Sequence, residues 1–252
     1  MFYRVFLSAV VAGVLGGLVI SAVQAVTTIP LILQAEKYET ASSAPQAPKA
    51  MPLAGTHAHS NAGIADKGHD DGEAWAPNDG VERTAYTVMA NILAGFGFAL
   101  LIVACFALSG RDGNPKTGVL WGLGGFAVFT LGPGLGLPPE LPATAAADLA
   151  ARQGWWILAA GTTAFGLWLL VFRQSVLAKA LGVFALVLPH AIGAPHPLNL
   201  TKAVPPELAA HFASSSIVTS ALFWVLLGWL AGTAYMRLGK AENAGEPRPA
   251  IV

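Results

Sequence analysis

Apolar residues are concentrated in long stretches of this chain that carry few or no charged side chains. A helix needs about 20 predominantly apolar residues to cross a bilayer. On this pattern we predict six spans, near 6–30, 85–108, 117–136, 154–172, 175–192 and 214–236. The pattern therefore predicts an all-α fold, a polytopic transmembrane helix bundle that forms a single membrane domain over 1–252.

Two of these spans have alternatives. The fifth contains Lys179, which would have to extend its amine toward the interface, so a five-span bundle remains open. The first could be a cleaved signal peptide, with Arg4 in its basic region and a tolerable cleavage site at 23–25. The apolar run continues to residue 33, which is too long for a signal sequence, and we favour an uncleaved helix.

The polar segments predict the orientation. A long loop at 34–83 is rich in Ala, Pro, Gly, Ser and acids, and we expect most of it to be mobile. Short cytoplasmic loops carry an excess of Lys and Arg. Both termini are predicted inside, with a tail at 237–252, because that arrangement leaves only Arg152 and Lys202 in the short outer loops. The 34–83 loop and all six histidines then lie at the outer face.

Small residues recur every four positions in three of the predicted spans. Such stripes let helix backbones approach closely in lipid. We interpret them as packing inside the bundle rather than as a dimerisation signal. The stripes are Ala9, Gly13, Gly17, Ser21 and Ala25 in the first span, Gly118 and Gly122 in the third, and Gly228 and Gly232 in the sixth.

A short internal repeat is visible. Residues 125–138 align with 182–195 without gaps, and Pro-Pro-Glu-Leu follows at 138–141 and at 205–208. This predicts that spans 3–4 and 5–6 are copies of one helical hairpin, as in parallel-repeat transporters. The alternative is that Gly and Pro are simply frequent where helices end near an interface.

Composition excludes several classes of function. Only 11% of the residues are charged, against roughly 25% in soluble domains. The formal net charge is zero, so no basic surface is available for nucleic acid. The single cysteine, Cys105, cannot form an internal disulfide and is interpreted as a small lipid-phase residue. No phosphate-binding GxxxxGK[ST] motif and no Ser–His or Cys–His pairing is evident, so we predict no enzyme activity.

The outer loop carries one group of candidate metal ligands. Imidazoles bind Zn, Cu, Ni and Co, and carboxylates can complete such a site. An HxH motif followed by an acidic cluster predicts a loose collector of divalent metal, while the alternative is a solvated linker with incidental histidines. The residues are His57, His59, His69, Asp70 and Asp71.

A second group lies at the outer ends of the later spans. His190 and His196 flank a Pro- and Gly-rich break, and His211 follows. The break at 132–134 aligns with this region, so we predict an outward vestibule with Glu140 and Glu207 at its rim. The alternative is a set of interfacial histidines on Pro-stiffened loops.

Below this vestibule the spans hold no Asp, Glu or Arg. Gln24, Asn91 and Thr130 are the evident polar groups along a path for an ion, which argues against a relay of buried carboxylates. No tightly bound cofactor is expected.

Several segments resemble the CbtA family of proposed cobalt transporter subunits. They are MFYRVFLSAVVAGVLGGL at the N-terminus, HDDGEAWAPNDGVERTAYT from residue 69, and then LGLPPELP, PHAIGAPHP and ALFWVLLGW, in the family's order. The resemblance covers most of the chain apart from the loop near 36–56 and the C-terminal tail. Family members often carry a longer His-rich run in the first outer loop, and its reduction to three histidines here weakens the case for capture there.

The resemblance implies a multi-pass inner-membrane protein in contact with lipid. It further implies uptake of Co²⁺ for cobalamin synthesis, with Ni²⁺ or Zn²⁺ as less favoured ions, and a small single-span, His-bearing partner of the CbtB type. The rival hypothesis is a non-transporting accessory or assembly subunit of a larger membrane complex that senses metal. The sequence leaves the oligomeric state and the energy coupling open.

Overall fold

The computed structural model describes residues 2–43, 77–110, 113–142, 144–197 and 204–245. Within these ranges the protein is all-helical and contains no strand, which confirms the predicted class. The helices are α1 (Phe2–Val26), α2 (Thr28–Ser43), α3 (Val81–Ser109), α4 (Pro115–Phe126), a π-helical turn (Ala127–Leu131), α5 (Gly132–Gly134), α6 (Leu149–Phe172), α7 (Val176–Ile192) and α8 (Pro206–Gly245).

Each predicted span corresponds to a helix or a run of helices. Four helices, α1, α3, α6 and α8, are long and apolar enough to cross a membrane. Helix α7 has 17 residues, at the lower limit for a span. Helix α4, the π-helical turn and α5 follow one another without a gap. The structure therefore supports a multi-pass membrane protein, whereas the count of six remains a prediction.

The helices differ from the predicted segments at three places. The first apolar stretch does not form one helix to residue 30, because α1 ends at Val26 and α2 begins at Thr28. Helix α2 extends to Ser43, so the first part of the predicted 34–83 loop is helical. Helix α8 likewise extends to Gly245 into the predicted tail. Forty residues at 1.5 Å per residue make α8 about 60 Å long, roughly twice the hydrocarbon thickness of a bilayer.

Helices α1, α3 and α8 form the centre of the bundle. Their buried core consists of Ala9, Ala12, Ala99, Ile102, Val103, Phe106, Trp224, Leu227, Ala231 and Tyr235. Helix α4 packs on the opposite side of α8. A second, smaller core joins α2 to the start of α8 through Leu31, Ala35, Leu141, Val204, Leu208 and Phe212.

The predicted small-residue stripes lie at the closest helix crossings. A Cβ added at Gly17 would lie 2.6 Å from the Cα of Ile92 in α3. On the other side of the bundle, a Cβ at Gly118 or Gly122 would overlap a backbone carbonyl of α8. These contacts confirm that the stripes pack inside the bundle, except at Ala25, which is exposed. Close approach gives van der Waals attraction that larger residues would prevent.

Helices α6 and α7 pack against each other, with Gly166 and Gly182 at their crossing. The duplicated hairpin is not confirmed. Its second copy would pair α7 with α8, whereas α8 packs mainly against α4 and α1.

The outer surface of the helices is strongly apolar. Phe184 and Leu93 are each 61% exposed, and many other large apolar side chains of α3, α6 and α7 face outward. A soluble protein rarely exposes so large an apolar surface, whereas lipid tails solvate it without cost.

Candidate functional site

A polar cavity of about 340 Å³ opens between α1, α2, α3 and α8. It is partly open to the outside of the bundle and lies within the apolar part of these helices. Its lining is Ile20, Gln24, Thr28, Ile32, Asn91, Ala94, Phe212, Ser216, Thr219, Ser220 and Phe223. Six of these eleven side chains carry an amide or a hydroxyl group, which is expensive at membrane depth unless it serves a function.

Asn91 connects the walls of the cavity. Its Nδ2 atom donates hydrogen bonds to Ser21 Oγ at 2.9 Å and to Gln24 Oε1 at 2.6 Å, which joins α3 to α1. Ser21 donates its own hydroxyl to the Gly17 carbonyl at 2.7 Å. The amide of Asn91 is thus held in a fixed orientation by two partners.

Hydroxyl groups continue this polar lining toward α4. The Oγ1 atom of Thr27, at the break between α1 and α2, lies 3.4 Å from Thr219 Oγ1. The hydroxyls of Ser220 and Thr130 are 2.9 Å apart and hydrogen-bonded. Thr130 belongs to the π-helical turn, in which Gly132 N–H bonds to the carbonyl of Ala127. Such turns re-aim side chains and are frequent at functional sites.

Aromatic side chains close the bundle beyond the cavity. Phe223 lines the cavity and contacts Trp224, whose ring centroid lies 4.6 Å from that of Phe98. Phe129 stacks on Trp224 at 5.6 Å. Beyond this aromatic cluster the core of α1, α3 and α8 is apolar as far as Tyr235. The cavity is therefore closed toward the end of the bundle where Arg4 donates to the Tyr235 carbonyl, hereafter the Arg4 end.

Charged side chains stand near the opposite end of the cavity. Arg83, in the first turn of α3, binds Glu36 of α2 through both its terminal nitrogens, with one contact at 3.1 Å, and also binds Asp79 at 3.2 Å. Thr28 and Ile32 line the cavity, and Glu36 follows them at the same four-residue spacing. Glu36 therefore lies on the same face of α2, at what we call the Arg83 end.

The predicted metal-site residues are not brought together where the structure describes them. The loop residues His57, His59, His69, Asp70 and Asp71 lie outside the described residues. Among the described residues no group of three or more His, Cys, Asp and Glu side chains could hold a metal ion. His196, Glu207 and His211 are exposed. Glu140 forms an ion pair with Arg152 at 2.9 Å.

The predicted meeting of the two broken helix ends does occur, around Trp155. A Cβ at Gly136 would overlap the Trp155 ring and would lie 3.1 Å from Ala194. Trp155 donates its indole N–H to the Pro189 carbonyl at 3.2 Å, and its ring contacts His190 with centroids 5.9 Å apart. Because Trp155 is only 7% exposed, its ring fills the space between the two ends.

Gln24, Asn91 and Thr130 were predicted from the sequence as polar groups along a path for an ion. The hydroxyl groups that complete the cavity were not predicted. The signal is present on two helices. Ser216, Thr219 and Ser220 lie three or four residues apart, on one face of α8. Ser21 and Gln24 are likewise three apart, but Ser21 was assigned only to the packing stripe. These spacings show which side chains share a face of one helix, but they do not predict which other helix packs against that face.

The apolar helices and the polar cavity between them define a multi-pass membrane protein. A model of the CbtA family, described as "Probable cobalt transporter subunit (CbtA)", matches residues 2–236. The chain therefore belongs to the CbtA family. Comparison with curated proteins and with solved structures finds no significant match.

Proposed function

We propose that this protein is the membrane-embedded subunit of a divalent transition-metal transporter, with Co²⁺ as the ion and Ni²⁺ or Zn²⁺ less favoured. The observation that carries this proposal is membership of the CbtA family over residues 2–236. A cavity lined by amide and hydroxyl groups within apolar helices agrees with it. Neither feature requires catalysis, so the proposed role is not enzymatic.

In this proposal the ion is collected at the Arg83 end. The outer loop offers His57, His59, His69, Asp70 and Asp71 as transient ligands. His190 and His196, with Glu140 or Glu207, would accept the ion next, and His211 lies further along the same face of the membrane. Transient ligands suit a transporter because an ion that binds too tightly cannot leave.

Direction and partner complete the proposal. The Lys and Arg distribution supports an orientation with both termini in the cytoplasm, the membrane in this proposal is the bacterial inner membrane, and transport is then uptake. The partner is a small single-span, His-bearing subunit of the CbtB type. It would supply imidazole ligands that the lining of the cavity lacks.

The test is uptake of labelled Co²⁺ into cells that express this chain, with and without the small partner. The variant His190→Ala/His196→Ala is compared with Gln153→Ala, an exposed position of α6 near the same end of the bundle. We expect uptake that needs the chain and collapses in the histidine variant only. Absence of uptake with the partner present and the protein correctly inserted would refute transport.

One observation favours the second candidate, an accessory or assembly subunit. The cavity does not continue through the bundle, because the aromatic cluster of Phe98, Phe129 and Trp224 and the apolar core close its far side. A subunit that only senses metal or organises a complex needs no continuous path. It would show cobalt-dependent association with its partner and no uptake of its own.

A further inference from the structure

We infer that the cavity around Asn91 is a binding site for a single hydrated divalent cation, held through neutral oxygen atoms rather than through histidine. The inference deepens the proposed function and rests on it. The site then lies between α1, α2, α3 and α8. It is separate from the Pro- and Gly-rich break next to His190, which the sequence pattern indicates as a candidate metal site.

The hydrogen bonds of Asn91 leave an acceptor rather than a donor on this side chain for a ligand. An amide nitrogen has two N–H groups, and Asn91 gives both, to Ser21 and to Gln24. Neither bond uses the carbonyl oxygen of Asn91. The Ser21 hydroxyl proton is also committed, to Gly17. The Asn91 carbonyl oxygen is thus left as an acceptor, which a cation or the water bound to a cation can use.

The size of the cavity fits an ion that retains its water. A water molecule occupies about 30 Å³ in the liquid, so six waters require about 180 Å³. The cavity provides about 340 Å³. A bare ion would leave most of this space empty and would touch only a few of the lining oxygens, whereas a hydrated ion can donate hydrogen bonds to several of them at once.

The chemistry of the lining also favours a hydrated ion. None of the eleven lining residues is His, Cys, Asp or Glu, so the lining offers no strong inner ligand that could replace bound water. An ion that keeps its water avoids most of the desolvation cost of entering the apolar part of the bundle. Binding through water is weaker, which allows release.

The ion also needs nearby negative charge, and the Arg83 end supplies it. Glu36 lies one helical turn beyond Ile32 of the lining, and Arg83 is bound to both Glu36 and Asp79. An arriving divalent cation competes with Arg83 for these carboxylates before it reaches the amide and hydroxyl groups.

The experiment combines cobalt uptake in cells with cobalt binding to the full chain in lipid nanodiscs. Asn91→Leu removes the amide at similar volume, and Asn91→Asp adds a charge at the same position. Thr162→Val is the matched control, because the Thr162 hydroxyl bonds only to carbonyls of its own helix, those of Leu158 and Ala159. All variants are first checked for membrane level and for a monodisperse elution profile.

We expect Asn91→Leu to raise the KM for uptake about tenfold or more and to remove one bound Co²⁺ per chain, whatever number binds elsewhere. Asn91→Asp should instead tighten cobalt binding, because a carboxylate attracts the divalent ion directly. A residue that serves only to hold α1 against α3 would be damaged by both substitutions, so the opposite signs identify a ligand.

The outcomes separate this inference from the proposed function. Uptake by the wild type that neither Asn91 variant alters would overturn the cavity site and leave transport intact. Impaired uptake in both variants with unchanged cobalt binding would also overturn it. Loss of one bound ion in Asn91→Leu and tighter binding in Asn91→Asp, without uptake by any form, would support the site and refute transport.

Discussion

At the scale of single residues, glycines set how closely α4 and α8 approach. Positions 118 and 122 face backbone carbonyls of α8, while Gly124 of the same helix has open space at its Cβ position. The identity of the residue is the same at all three positions, and only the neighbours differ. The structure therefore separates glycines that the helix crossing requires from one that it does not.

Gly118→Ala should destabilise the protein, because the new methyl group overlaps the Gly228 carbonyl and must push the helices apart. Overpacking of this kind costs about 1–3 kcal/mol. We expect a lower midpoint of thermal unfolding in detergent, with Gly124→Ala unchanged as the control. Equal midpoints for the two variants would mean that α4 and α8 do not cross at Gly118.

Trp155 should contribute through its indole N–H as well as its ring. Trp155→Phe keeps an aromatic ring but loses the hydrogen bond to the Pro189 carbonyl, worth about 1 kcal/mol. The expected result is a thermal midpoint lower by about 2–4 °C for each kcal/mol lost in a chain of this size. Trp156→Phe, at a position 37% exposed, is the control and should have a smaller effect.

At the scale of elements, α2 is attached to the bundle at three places. It joins α1 at Thr27, its apolar face packs against the start of α8, and Glu36 is paired with Arg83 of α3. Two cavity-lining residues, Thr28 and Ile32, belong to α2. Movement of this helix would therefore change access to the cavity.

Arg83→Gln should loosen α2, since the ion pair to Glu36 is lost. Partly exposed pairs contribute up to about 1 kcal/mol, so amide hydrogen exchange in Thr28–Ser43 should accelerate by a few-fold. Lys37→Gln, an exposed position of the same helix, is the control. The difference between the variants should shrink in high salt, because salt screens the pair. A difference that is unchanged by salt would contradict this explanation.

At the scale of the whole molecule, helix packing fixes which ends lie on one side. Arg4 near the start of α1 bonds to Tyr235 near the end of α8, so these two ends share a face of the bundle. The Arg83 pair lies at the opposite end, because α3 runs antiparallel to α1 and begins there. The aromatic cluster and the apolar core separate the cavity from the Arg4 end of the bundle.

The proposed orientation, with both termini in the cytoplasm, predicts the result of thiol labelling in intact cells. In a Cys105→Ser background, a cysteine placed at Ser60 in the outer loop should react with a membrane-impermeant reagent. A cysteine at Ala241 near the end of α8 should react only after the cells are opened. The reversed pattern would place the termini outside and would refute uptake through an outward-facing cavity.

The hydropathy pattern of the sequence was enough to predict the helical class, the approximate position of each long helix and the small-residue stripes. These follow from local rules, because a lipid-facing helix must be apolar along its length and close crossings need small residues. Five segments of the sequence that resemble the CbtA family also predicted the family to which the chain belongs. The ends of α1, α2 and α8 were not predictable, since a helix that leaves the apolar layer no longer carries the hydropathy signal.

Which polar residues line the same cavity is known only from the tertiary structure. Asn91, Gln24 and Ser220 come from three helices far apart in the sequence, and their meeting depends on how α1, α3 and α8 cross. The position of Trp155 is a similar case, because its ring packs between the two broken helix ends, and no spacing along the chain predicts this contact. Spacing along one helix shows which side chains share a face, but the partner of that face is set by packing between helices.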